Sequence, residues 1–390
     1  MIRSIRWFTA ALMSASLVAA MAPSLTFAQE AEVRSSLALE EVVVSARKRD
    51  ETLLEVPLTI TVVTADDIAA KDLKDLRDVV DYTPGLYFGG PSGGANDRSS
   101  SRLLMRGMQV NTDVQTRQGG MVFIDGAPIL GAQIGGTENA ERIETVKGPQ
   151  SAYFGRSTFG GAINIITRKP SMDVWRARVD LQQGSFDSHT YGLQVEGPVI
   201  ADKLAIRLSG SNVGNDGNYY NAANGDRLGD RKTNDLALTL YATPTEQFDA
   251  KLRLHYWLND DGPSASLGYG RLNGEDVFNC YRGGTAARFA NGNNWVCGEP
   301  RFPTAAEINV DTTMIPAFRS IIGGDPALCP TCGLLLGKDF LTDYGLRREA
   351  KEASLSMNYR FANDMTLSAI TAVHGDKMAR IEDLDRKATA

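Results

Sequence analysis

The chain has 390 residues, of which 43% are hydrophobic and 23% charged, with a formal net charge of −6. That balance shows no sign of a globally disordered chain, and the acidic sign makes the chain a poor candidate for a nucleic-acid binder, which needs a basic stripe. Length alone suggests about two or three domains, and glycine at 38 positions predicts many tight turns.

Residues 1–28 read as an export signal. Arg3 and Arg6 form a charged start, an apolar stretch follows that is densest from Leu12 to Met21, and Thr26-Phe27-Ala28 offers small residues for cleavage before Gln29. Pro23, Ser24 and Thr26 interrupt the apolar run before it reaches a full helical span, which argues against a retained membrane helix. No later segment is apolar enough to span as a helix, so an exported chain of this kind is either soluble or a β-barrel. Residues 29–46 form a short lead, expected to be mobile.

Residues 47–170 mix strands, short helices and glycines in an α+β pattern. Val56 to Val63 is rich in β-branched residues and predicts a strand. Thr64 then stands at an N-cap position with Asp67 as the third helical residue. A second helix is predicted over Leu73 to Val80, with Leu73, Leu76, Val79 and Val80 on one face and Pro84-Gly85 ending it. The loop from Gly89 to Gly94 lacks the Gly-Lys-Ser/Thr ending of a phosphate loop. Met121 to Ile124 predicts a strand closed by a turn at Asp125-Gly126, and Ala162 to Thr167 a further strand.

Residues 171–390 carry the strongest pattern. Trp175, Ala177, Val179 and Leu181 alternate with Arg176, Arg178, Asp180 and Gln182; Leu252, Leu254, Tyr256 and Leu258 alternate with Lys251, Arg253 and His255; Leu355, Met357, Tyr359 and Phe361 alternate with Ser354, Ser356, Asn358 and Arg360. Similar runs over 191–196, 203–209, 235–240 and 365–373 bring the count to about seven strands. Each is about ten residues long, the length of a tilted membrane strand. An apolar face backed by a charged one suits lipid outside and a wet lumen inside, although a soluble sandwich also alternates. Loop lengths favour the barrel: turns at 197–202, 243–246 and 361–364 are short, while two of the three opposite loops, 214–231 and 259–344, are long.

Glu41-Val42-Val43-Val44-Ser45-Ala46 resembles a TonB box, a Val-rich stretch near the mature N-terminus. The physical reason for such a segment is β-augmentation, in which an extended peptide adds a strand to a partner sheet. A first buried strand is the alternative on these residues alone. Further motifs resemble, in order, the plug of the TonB-dependent outer-membrane receptors. They are Val56-Pro57-Leu58-Thr59, Leu76-Arg77-Asp78-Val79, Thr83-Pro84-Gly85-Leu86, Leu104-Met105-Arg106-Gly107, Val122-Phe123-Ile124-Asp125-Gly126, Glu141-Arg142-Ile143-Glu144-Thr145-Val146-Lys147-Gly148-Pro149-Gln150, Tyr153-Phe154-Gly155-Arg156 and Gly160-Gly161-Ala162-Ile163-Asn164-Ile165-Ile166-Thr167.

The resemblance implies a plug filling a polar barrel lumen. Arg106, Glu141, Arg142, Lys147 and Arg156 suit charged contacts with that lumen wall, the alternative being solvated surface charge. The family usually has arginine where Lys147 stands, and lysine lacks the bidentate fork. Its barrels have twenty-two strands by resemblance, so residues 171–390 are expected to hold the first strands of a truncated barrel. The implied activity is binding and import of a scarce ligand, most often a ferric siderophore, with cobalamin, a carbohydrate or a non-functional truncated receptor fragment as alternatives. Implied partners are TonB with its ExbB/ExbD energising complex, outer-membrane lipid and the extracellular ligand; the implied location is the cell outer membrane. A signalling receptor would carry a further domain before the TonB box, and the dozen residues from Gln29 to Glu41 are too few for one.

Plug apex loops should face the ligand, and Asn96, Asp97, Arg98, Asn111, Thr112 and Gln133 are candidates there, plain loop polarity being the alternative. Cys280, Cys297, Cys329 and Cys332 all fall in the longest outer loop. An even count in an exported chain favours disulfides, with adjacent pairing Cys280–Cys297 and Cys329–Cys332 expected among three possible connectivities. His189, His255 and His374 fall on different strands or loops without ligand spacing. No metal, cofactor or enzyme activity is expected.

Overall fold

The computed structural model describes residues 43–44, 51–52, 59–89, 98, 102–109, 120–129, 135–137, 139–155, 157–265, 279–280, 295–296, 308, 310, 340, 343–363 and 365–381. Residues 1–42, read above as an export signal and the start of the lead, lie outside them. No helix among the described residues is long and apolar enough to cross a membrane.

The α+β unit is built on a five-stranded mixed sheet. Its strands are β3 (Thr59–Thr64), β7 (Gly120–Ile124), β8 (Ala127–Ile129), β9 (Ala140–Lys147) and β10 (Gly161–Thr167), in the order β3-β9-β10-β7-β8. Only β10 and β7 run parallel; the other neighbours are antiparallel. Strand β7 is buried along its whole length because both of its faces are covered, which is why its sequence is apolar without alternation. On one face Val122 and Ile124 join Val63, Ile143, Ile163 and Ile165 beneath the two helices. On the other, Met121 and Phe123 pack with Ala162 and Phe154, the Phe123 and Phe154 rings lying 4.8 Å apart.

The helices start where their caps dictate. Helix α1 (Ala65–Ala70) is capped by Thr64: the Asp67 N–H donates to Thr64 Oγ1 at 3.2 Å and the Thr64 N–H donates to Asp67 Oδ2 at 3.2 Å. Helix α2 (Leu76–Asp81) begins three residues later than its apolar face suggested, because Asp75 takes the cap. Its carboxylate accepts from the Arg77 and Asp78 N–H groups at 2.8 and 3.1 Å. Leu73 still reaches the core from the segment before the cap. Asp125 and Gly126 both adopt positive φ, 50° and 83°, the geometry of a two-residue turn that matches strand twist and here joins β7 to β8.

Short strands β4 (Leu86–Gly89), β5 (Arg102–Met105) and β6 (Met108–Gln109) form a three-stranded sheet, and β1 (Val43–Val44) pairs antiparallel with β2 (Glu51–Thr52). Helix α3 (Ser151–Phe154) brings Phe154 to the core.

Seven long strands follow as one antiparallel sheet: β11 (Arg176–Gln183), β12 (His189–Ile200), β13 (Leu204–Asn215), β16 (Arg231–Thr245), β17 (Phe248–Asp261), β20 (Gly345–Arg360) and β21 (Thr366–Ile381). Each pairs with its predecessor in the series, a pure meander. Turns at one end comprise residues 201–203, 246–247 and 361–365, and connections at the other residues 184–188, 216–230 and 262–344. Two small hairpins sit in the longer connections: β14 (Tyr219–Tyr220) with β15 (Arg227–Leu228), and β18 (Asn279–Cys280) with β19 (Trp295–Val296).

This sheet inverts the usual rule of burial. Along β17, Lys251, Arg253, His255, Asn259 and Asp261 are buried, and Leu254 between them is 41% exposed. Leu193, Leu208, Leu236, Leu367 and Val373 are also exposed, while Arg207, Ser209, Asp235 and Thr239 are buried. A contiguous apolar face of this extent is foreign to a soluble monomer and is what a wall with lipid on its outer side requires.

Candidate functional site

The buried polar face of the seven-stranded sheet meets the α+β unit, and side chains from both sides tie the two together. At the end with the short turns, Lys251 of β17 reaches across. Its Nζ donates to Asp125 Oδ1 at 2.8 Å, to the Thr167 carbonyl at 3.2 Å and to Thr167 Oγ1 at 3.1 Å. Asp125 is oriented by its own unit, accepting from the Thr167 N–H at 2.9 Å and the Thr167 hydroxyl at 2.6 Å. Both side chains of the Lys251–Asp125 pair are more than nine-tenths buried.

At the opposite end Arg98 forms the second anchor. Its Nε donates to Asp261 Oδ2 and its Nη1 to Thr233 Oγ1, each at 2.8 Å, and Nη2 meets Asp261 Oδ1. This is the bidentate fork that arginine offers a carboxylate. Arg348 Nη1 donates in turn to the Arg98 carbonyl at 3.1 Å. Further hydrogen bonds join the two surfaces. Lys74 Nζ donates to Gln182 Oε1 at 3.1 Å and Thr190 Oγ1 at 3.0 Å, and Ser209 Oγ donates to Asn139 Oδ1 at 2.8 Å. A cavity of about 260 Å³ remains between the surfaces, lined by Lys74, Asp75, Arg77, Arg98, Asp235 and Asn259 among others.

The charged residues expected at this contact are distributed differently. Arg142 stays within its own sheet, with Nη1 2.6 Å from Glu141 Oε1 and Nε 2.8 Å from the fully buried Glu144. Residues two apart on a strand share a face, so β9 supplies Arg142 with Glu144 before the wall does. Lys147 is partly buried, which pushes its ammonium below the ordinary lysine range, and the nearby Arg106 guanidinium adds to that. Burial pushes the Asp78 carboxyl up, with the neighbouring Asp75 charge adding to it. Arg156 lies outside the described residues.

Of the ligand candidates Arg98 is described, and its guanidinium is bound to the wall; Asn96, Asp97, Asn111, Thr112 and Gln133 lie outside the described residues. In the Val-rich segment Val43 pairs with Thr52 and Val44, fully buried, with Glu51. Glu41, Val42, Ser45 and Ala46 lie outside. Cys280 is paired with Trp295 in its hairpin, and Cys297, Cys329 and Cys332 lie outside the described residues.

Residues 52–162 match the family described as TonB-dependent Receptor Plug Domain. These residues form a plug domain of the TonB-dependent receptor type. The match ends at the second residue of the last plug strand, and the polar wall that grips the plug follows. Relatives agree. The iron-regulated outer membrane virulence protein of Vibrio cholerae is 27% identical over 260 residues, covering 62% of this chain and 38% of that protein. The ferrioxamine B receptor of Salmonella typhimurium is 28% identical over 192 residues, 47% of this chain and 26% of that receptor. The chain therefore spans well under half the length of these relatives. Among solved structures, the ferric yersiniabactin uptake receptor FyuA of Yersinia pestis superposes with a TM-score of 0.60 at 18% identity, over 84% of this chain and 42% of that one. It shares the fold, a plug followed by antiparallel wall strands, and the relatives named as outer-membrane proteins give the location, the outer membrane.

Sequence reasoning missed one part of the contact. Asp235, His255, Glu352 and His374 stand on four strands yet adjoin inside the wall. Cross-strand register brings them together: Glu352 lies opposite both His255 and His374. Each could have been placed on the inner face by alternation, but their adjacency required the pairing.

Proposed function

We propose that the chain contributes the plug and wall strands of an outer-membrane receptor that binds a ferric siderophore outside the cell and releases it inward. The observation that carries this reading is the plug–wall contact itself, made of charged and hydrogen-bonded side chains. An apolar contact of that size would be a permanent core. A polar one exchanges its partners for water when the plug is pulled. The ligand class rests on relatives named as a ferrioxamine B receptor and a catecholate siderophore receptor of Escherichia coli K12.

Release needs a pull, and the Val-rich segment Glu41–Ala46 is the handle we assign to TonB and its ExbB/ExbD complex. Strand β1 lies against β2 on one edge, and among the described residues no strand lies on its other edge. Val44 is fully buried, so the two-residue strand has to leave β2 before it can add to a partner sheet. Replacing Val43 by Pro removes a main-chain donor. In the full-length receptor this change is expected to abolish energy-dependent uptake of a radiolabelled ferric siderophore while leaving binding to de-energised cells intact. Unchanged uptake would reject the handle. Binding of cobalamin or an oligosaccharide, with no ferric hydroxamate or catecholate bound, would reject the ligand class.

A further inference from the structure

The chain has three histidines, and two of them meet one carboxylate inside the wall. Glu352 Oε2 lies 3.2 Å from His255 Nδ1, and Glu352 Oε1 lies 3.3 Å from His374 Nδ1. His255 Nε2 is 2.7 Å from Asp235 Oδ2. Arg253 completes the group, with Nη1 2.9 Å from Glu352 Oε2 and Nη2 2.7 Å from His255 Nδ1. Asp235, Arg253, His255 and Glu352 are each more than nine-tenths buried.

The plug rests directly on this group. The Gly136 N–H donates to Asp235 Oδ2 at 3.4 Å. A Cβ built on Gly135 would stand 2.5 Å from both Asp235 Oδ2 and His255 Cε1. The loop backbone thus lies against the imidazole–carboxylate pair with no room for a side chain. The charged and titratable groups around His255 are Asp235 on β16, Arg253 on β17, Glu352 on β20 and, through Glu352, His374 on β21. The described loop residues Gly135, Gly136 and Thr137 bring none.

His255 is built to hold either of two protonation states. An ionised carboxylate accepts only, so Nε2 carries a proton and donates to Asp235. Nδ1 faces two incompatible partners. Arg253 can only donate to it, which requires a bare nitrogen; Glu352 can only accept from it, which requires N–H.

We propose that Asp235, His255 and Glu352 form a proton-responsive latch, closed on the plug loop at Gly135–Gly136 while His255 is doubly protonated and loosened when it loses a proton. With the proton, the imidazolium donates to both carboxylates, Arg253 gives up its Nη2 contact with Nδ1 and keeps Glu352 through Nη1, and the two carboxylate charges are balanced by the imidazolium and the guanidinium. Without it, two buried carboxylates share one guanidinium. A buried charge without full compensation is costly unless water reaches it. Water reaches Asp235 once the Gly135–Gly136 backbone lifts away. Proton binding therefore favours the closed state, which is complete at low pH and lost as pH rises. The latch is independent of which ligand the receptor carries.

The test is hydrogen exchange on the full-length receptor in lipid vesicles, corrected for intrinsic exchange rates, from about pH 5 to about pH 9 around the ordinary histidine pKa of about 6.5. Protection of the amides at 135–140 is expected to fall about tenfold or more as pH rises, one pKa unit being a factor of ten. His255→Gln keeps a donor but does not titrate, and its profile is expected to be flat. A flat wild-type profile, or an unchanged pH response in His255→Gln, would overturn the latch. Should His255→Gln fail to insert, carbon-13 labelling of the three histidines decides. A His255 titration coinciding with the loss of protection supports the latch, and a His255 midpoint elsewhere, or none, overturns it.

Discussion

Replacing Lys251 by Met is expected to weaken the hold of the plug on the wall by about 3–5 kcal/mol, the usual cost of breaking a buried ion pair from one side. The substitution keeps the length and apolar stem of the side chain and removes only the ammonium. Asp125 is left buried with its Thr167 donors and without the cation that faces it at 2.8 Å. The same Nζ also satisfies the Thr167 carbonyl at the end of β10, so a second acceptor loses a donor. The measurement is hydrogen-exchange protection of β7 and β10 in the receptor in lipid, with the denaturant midpoint of plug release as a second readout. The double variant Asp125→Asn, Lys251→Met is expected to regain much of the loss, since it removes the uncompensated charge. A loss within the roughly 0–1 kcal/mol of an exposed pair would mean that water already screens this anchor.

Leu254→Arg is expected to destabilise the wall by about 2–4 kcal/mol, the cost of a cation on the lipid face near the bilayer centre. Leu254 lies mid-strand and is 41% exposed, while Arg253 before it and His255 after it are each 5% exposed. One residue step along β17 thus separates a position that accepts charge from one that should reject it. Leu254→Ala, which changes size without adding charge, separates the two causes. Stability measured by denaturation in lipid vesicles should fall sharply for the arginine variant and slightly for alanine. Equal small losses would mean that this face does not meet hydrocarbon.

The wall was legible in the sequence because strand periodicity survives without knowledge of partners. Leu252, Leu254 and Leu258 alternating with Lys251, Arg253 and His255 state both the strand and its two faces, and the short turns give the meander. The first helix cap was legible too: Thr64 with Asp67 is a local pattern, complete within four residues. The start of the second helix was not, because the apolar face extends back to Leu73 while the cap belongs to Asp75. Short strands β4, β5 and β6 carry too few residues to show a period. The plug–wall contacts were the least legible. Lys251 and Asp125 are separated by 126 positions and Arg98 and Asp261 by 163, and nothing local distinguishes them from other inward charges. Arg142 is the instructive case. Its i, i+2 relation to Glu144 on a strand was readable, and it shows why a charge on the plug need not face the wall.

One face of the seven-stranded sheet meets lipid and the other meets the plug. A photocrosslinking residue placed in turn at Leu193, Leu208, Leu236 and Leu254, and at Ser209 and Thr239, tests it directly in outer-membrane vesicles. The four exposed leucine positions should yield lipid adducts, and the two buried polar positions should yield adducts within the protein, Ser209 with the plug segment around Asn139, which it already touches at 2.8 Å. Protein adducts from the leucine positions together with lipid adducts from Ser209 and Thr239 would mean that the two faces are assigned the wrong way round.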